Sequence, residues 1–195
     1  MLLFLSMAGF ALASSITPGP VNLVALGSGA RHGWRATLGH VMGASLGFTL
    51  LLVLIGLGVY ELLVRWPVLT TAIRFSGVVY LLFLAWRLAG DDGQLTGDTK
   101  VQRPSLLAGA AMQWLNPKAW LASVAGMAAF AADGDPGTVA QFAAIYFVVC
   151  YASVAAWAMA GSHLRRHLHR HAAMRRFNRG MALLLGLCAV ALLLE

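Results

Sequence analysis

Two groups of residues in this chain interrupt apolar runs with chemistry that apolar runs do not need. They are Thr17-Pro18-Gly19-Pro20 and Asn116-Pro117-Lys118. Proline removes a backbone donor and drives the residue before it out of the helical region. Thr17 and Asn116 therefore read as N-caps, with Pro18 and Pro117 as the first residues of new half-helices. Gly19 adds slack and lets another group come close. A helix N-terminus exposes unpaired N–H groups and about half a positive charge. Two such ends meeting from opposite sides would hold a carboxylate. The alternative is a pair of proline kinks that only shape packing.

Lys118 sharpens that chemistry. It lies roughly 20 Å along the axis from the start of its apolar run, too far for its stem to reach an interface easily. A lysine at the centre of a bilayer costs about 2.5–3.5 kcal/mol, so it should face a cavity or a partner. The neighbouring mid-run positions hold no carboxylate. Its partner is then either a substrate carboxylate or the carbonyls that the breaks set free. Ser14, Ser15 and Asn22 flank the first break and Gln113 precedes the second. These groups suit a substrate's amino group or polar side chain, or hydrogen bonds between helices. The candidate substrate-binding set is thus Thr17, Pro18, Gly19, Pro20, Asn22, Gln113, Asn116, Pro117 and Lys118. His40 is the candidate proton carrier, set against an interfacial or hydrogen-bonded histidine.

Other patterns carry less. Gly39, Gly43 and Gly47 follow the small-xxx-small spacing of close helix packing. His163, His167 and His171 would share one helix face, but no acidic residue or cysteine joins them and arginines surround them. That loop, His169 included, reads as a basic segment against anionic headgroups, not as a metal site. Cys150 and Cys188 read as small buried hydrophobes. No cofactor motif, metal site or enzyme signature is present, so no cofactor and no enzymatic activity are expected.

The elements that must position these groups follow from composition. The chain has 195 residues, 59% hydrophobic and 11% charged, with a mean hydropathy of +0.75. Soluble domains carry about 25% charged residues, so the class is an all-α polytopic membrane protein. The net charge of +7 sits in short connections between apolar runs, which argues against nucleic acid. Six apolar runs lie roughly at 2–29, 36–63, 68–89, 105–131, 139–161 and 179–194. The first is expected to stay uncleaved, because residues 1–13 lack a basic leader region. Six spans put Arg31, Arg35, Arg87, Lys100, Arg103, Arg165, Arg166, Arg170, Arg175, Arg176 and Arg179 on one side, and Arg65 and Arg74 on the other. The bias makes the first side cytoplasmic and both termini external. Three plus three spans imply an inverted repeat, 1–98 and 99–195 of a single membrane domain, with broken helices one and four.

Several stretches resemble the lysine exporter family, also called LysE/RhtB. They are Thr17 to Asn22, Arg31-His-Gly-Trp-Arg35, the Gly39/Gly43/Gly47 series, Gly77-Val-Val-Tyr80-Leu81 into Leu84-Ala-Trp-Arg87, and Gln113 to Lys118. Leu84-Ala-Trp86 and Ala158-Met-Ala-Gly161 are most similar to the cysteine/O-acetylserine exporter branch. The resemblance covers nearly the whole chain. It implies an exporter of amino acids or their derivatives in the bacterial inner membrane, driven by the proton gradient; the paired breaks point to a secondary exporter working by alternating access. Its implied partner is a small amino-acid substrate; composition adds the lipid bilayer, and a homo-oligomer is a separate expectation, with the oligomeric state left open by the sequence. Two departures from the family stand out: no acidic or amide residue between Phe142 and Gly161, and the histidine-rich loop. The alternative of a divalent metal-cation exporter needs in-membrane ligands that the apolar runs almost entirely lack. A membrane thiol oxidoreductase would need a redox pair, and Cys150 and Cys188 lie in different runs.

Overall fold

A computed structural model describes residues 1–59, 65–92, 105–168 and 170–194. Helix α1 (Leu2–Ile16) and helix α2 (Pro20–His32) meet at a bend of 62°. Gly33 joins α2 directly to α3 (Trp34–Leu54), with φ 85°, a conformation that favours glycine. A wider helical turn, Ile55–Val59, extends α3. Then come α4 (Pro67–Ala89), α5 (Leu106–Trp114), α6 (Pro117–Phe130), α7 (Pro136–Leu164) and α8 (His171–Leu194), with one tight turn, Arg165–His167, before α8. Among the described residues there is no strand.

Local chemistry fixes these ends. Ser105 Oγ accepts from the Ala108 N–H at 3.1 Å and caps α5. Asp135 Oδ2 accepts from the Thr138 N–H and hydroxyl, both at 2.8 Å, and caps α7. Those bonds hold the Asp135 carboxyl below the ordinary carboxylate range.

The structure is the all-α membrane protein that composition implies, but the six apolar runs do not become six equal rods. Among the described residues three helices are long and apolar enough to cross a bilayer, or four if the bent α1–α2 pair is one span. The 9 residues of α5 and 14 of α6 reach only about 14 Å and 21 Å. Helix α8 carries Arg175, Arg176 and Arg179 in its first turns, which shortens its apolar part. The expected repeat boundary at 98/99, and Lys100 and Arg103, lie outside the described residues, as do His169 and the end of the second apolar run.

Helix α2 packs on α7, α3 on α5 and α7, α1 on α7, and α4 on α8. Two of these interfaces are backbone against backbone. A Cβ on Gly29 would lie 2.1 Å from Ala158 O, and one on Gly161 2.0 Å from Leu26 O. Across α3 and α5, Gly43 meets Leu106 O and Gly109 meets His40 O at comparable distances. Gly39, the first member of the glycine series, stays exposed. The main core, around Met7, Phe48, Met112, Phe142 and Tyr146, lies among α1, α3, α5 and α7. A smaller cluster joins α2, α4 and α8 through Leu23, Val78, Leu81 and Leu185.

Candidate functional site

The first break does not restart where Thr17 and Pro18 suggest. Thr17 closes α1, Pro18 lies in the link, Gly19 is the N-cap and Pro20 the first residue of α2. The second proline decides this. Pro20 disfavours helical geometry at Gly19, which is extended at φ −164° and ψ 174°, so no helix can run from Pro18 through Pro20. The second break has one proline and follows the simple reading. Asn116 is the N-cap, its Oδ1 accepting from the Lys118 N–H at 3.2 Å, and Pro117 starts α6.

Breaking α1 frees carbonyls that must find donors. Thr17 Oγ1 donates to Ala13 O. Asn22 Nδ2 donates to Ser15 O at 2.8 Å and to Thr17 O at 2.9 Å. Trp157 Nε1, from α7, donates to Ile16 O at 3.1 Å. The second break is braced in a parallel way. Trp120 Nε1 donates to Trp114 O at 2.8 Å, and Trp114 Nε1 reaches Gly47 O on α3 at 3.1 Å. An indole donor therefore caps the helix that ends at each break.

Lys118 joins the two breaks. Its Nζ donates to Thr17 O at 3.2 Å, across 101 residues of sequence. One cavity lies between them, lined from the first break by Ser14, Ser15, Thr17, Gly19 and Asn22, and from the second by Gln113, Asn116 and Lys118. No acidic residue lines it. The starts of α2 and α6 both reach this cavity, so two positive helix ends and an ammonium group converge on it. Ser15 Oγ is buried there without a hydrogen-bond partner. The cavity measures about 40 Å³, room for ordered water.

The remaining wall could not be read from motifs. It is formed by Val21, Phe48, Ala122, Tyr146, Cys150 and Val154. The rings of Phe48 and Tyr146 stack at 4.1 Å. Tyr146, Cys150 and Val154 recur every four residues on one face of α7, the one sequence signal that could have found them. Cys150 is a buried member of the main core that also lines the cavity, whereas Cys188 belongs with the smaller cluster on α8.

Pro18, Pro20 and Pro117 shape the breaks and are not among the lining residues. Asn22 lines the cavity but spends its amide on the freed carbonyls. His40 is 1% exposed on α3, with Nε2 3.4 Å from Val21 O, and it does not line the cavity. Among the described residues no group of three or more His, Cys, Asp or Glu could hold a metal ion.

The family described as LysE type translocator matches residues 12–195. The chain is 32% identical over 186 residues to the cysteine/O-acetylserine efflux protein of Escherichia coli (strain K12), covering 93% of this chain and 92% of that protein. The efflux protein of the same description from Shigella flexneri matches with the same identity and coverage. No solved structure matches.

Proposed function

The chain belongs to the LysE type translocator family, and is a transporter and not an enzyme; from that premise we propose that it exports small zwitterionic amino acids. Cysteine and O-acetylserine come first, because its relatives are efflux proteins for them. The observation that carries this reading is the Lys118 Nζ to Thr17 O contact at 3.2 Å, which makes one cavity of two helix breaks.

In this mechanism the substrate carboxylate displaces Thr17 O as the partner of Lys118 and lies against the starts of α2 and α6. Asn116, Gly19 and Gln113 line the same place. Ser15 Oγ supplies a buried group with unused bonding capacity. The stacked Phe48 and Tyr146 rings form a wall that favours small side chains.

Alternating access follows from two inverted halves, 1–98 and 99–195, each of three spans. A two-fold relating them maps the first span onto the fourth and the second onto the fifth. It would exchange the contact of the first span with the fifth for that of the fourth with the second. Taken as whole spans, the first (α1 and α2) packs on α7 and the fourth (α5 and α6) packs on α3, which supports this. The lysine and arginine bias supports an inner-membrane orientation with external termini. The proton gradient is the proposed driving force. His40 lies away from the cavity, so the carrier is left unassigned.

The test is efflux from proteoliposomes loaded with labelled cysteine or O-acetylserine. Lys118→Ala and Asn116→Ala should reduce efflux to the protein-free background while inserting normally. Wild-type rates in Lys118→Ala would overturn the carboxylate site. Unchanged efflux after collapse of the proton gradient would remove the proposed driving force and leave the site standing.

A further inference from the structure

A second cavity, about 170 Å³, lies between α2, α4 and α8, apart from the one between the breaks. Its walls are apolar: Leu23, Val24, Leu84, Leu88 and Leu185. One end is charged. There Arg31 Nη1 pairs with Asp91 Oδ2, and Asn178 Nδ2 donates to Asp91 Oδ1 at 3.1 Å. The pair is well buried, with 11% and 9% of the two side chains exposed. Both oxygens of Asp91 are therefore engaged, and among the described residues no other acidic one lines the cavity. Arg87 stands at the same end, its guanidinium 5.7 Å over the Phe83 ring. Among the described residues that line the cavity, two arginines stand against one carboxylate.

The location matters as much as the charge. The outer face of α4 is apolar and exposed at Phe75, Val79, Leu82, Phe83 and Trp86, as befits a helix against hydrocarbon. The charged end lies where α2 and α4 finish, at Gly33 and Gly90. A cationic end continuous with an apolar slot beside a lipid-facing helix matches an anionic amphiphile. A small soluble anion would leave the leucine walls without a partner. We propose that this cavity seats an anionic phospholipid, its headgroup at Arg87 and the Arg31–Asp91 pair and an acyl segment against Leu84, Leu88 and Leu185.

The experiment uses the full chain in nanodiscs of phosphatidylcholine alone or doped with phosphatidylglycerol. Lipid retained after detergent extraction is counted by native mass spectrometry, and the unfolding midpoint is recorded. Wild type should retain phosphatidylglycerol and unfold several degrees higher in the doped discs. Arg87→Gln should lose retention and the shift together, with its midpoint in phosphatidylcholine unchanged. Leu88→Trp, which fills the slot and keeps every charge, should lose retention as well. Arg175→Gln, a basic change on α8 outside the cavity lining, should behave as wild type. Equal retention in wild type and Arg87→Gln would overturn the proposal. So would a full shift produced by soluble glycerol phosphate, which would make the site one for a free anion. None of these readouts involves transport, so the outcome is independent of the substrate site between the breaks.

Discussion

Asn22 and Lys118 do opposite work with similar chemistry. Asn22 donates twice to the carbonyls of its own break, holding that break in shape. Among the described residues the Lys118 ammonium donates to Thr17 O alone, and an ammonium carries three donors. Asn22→Ala strips donors from Ser15 O and Thr17 O and should cost about 1–3 kcal/mol, read as a lower midpoint in a denaturant series. Cys150 provides a direct report on occupancy, because its thiol lines the cavity. In a Cys188→Ser background, a small alkylating reagent should modify Cys150 slowly, and saturating substrate should slow it further. Labelling insensitive to every exported amino acid would place the cargo elsewhere. The two prolines of the first break show what single residues cannot reveal. Either Pro18 or Pro20 alone makes an acceptable helix start, and only the effect of Pro20 on Gly19 selects the second. The indole brace is harder still, since Trp157 and Ile16 are 141 residues apart.

At the scale of elements, the helices are locked by contacts that leave no space for a side chain. Gly29→Val should abolish stable insertion, because Ala158 O occupies the place its Cβ would take. Gly9→Ala, with nothing within 4 Å, is the matched control and should be neutral or slightly stabilising. The cap of α7 adds a pH dependence. The Asp135 carboxyl titrates below its usual range because the ionised form accepts from Thr138. Its contribution is complete above the ordinary carboxylate pKa and fades as pH falls through the lowered value. Amide exchange at Gly137 and Thr138 should therefore show less protection at strongly acid pH than the intrinsic rates explain, and Asp135→Ala should remove that dependence. Proline placement and apolar run length made most element boundaries readable. The second break followed its motif, whereas α8 begins at His171, eight residues before the apolar run does, because arginines do not stop a helix.

For the molecule as a whole, α7 is the reference rod. Its 29 residues extend about 44 Å, enough to carry its ends to opposite faces of a bilayer. Cysteines placed at Asp133 and Arg166, with Cys150 and Cys188 replaced by serine, should react with an impermeant reagent from opposite sides. The Asp133 position should be the external one. Reaction of both from one side would remove α7 as a span and the inverted arrangement with it. The meeting of the two breaks was foreshadowed by their matched positions, because a pair of interruptions in apolar runs has few other uses. The size of the space between them was not, since volume depends on Phe48, Tyr146 and Cys150, residues whose types do not set them apart from ordinary packing.

Between the two breaks, a lysine of the second half holds a carbonyl of the first. In the proposed mechanism a pathway left open between journeys would drain the gradient that drives it. On that reading the ammonium-to-carbonyl bond is a latch as well as a seat, and each passenger must undo it before it can travel.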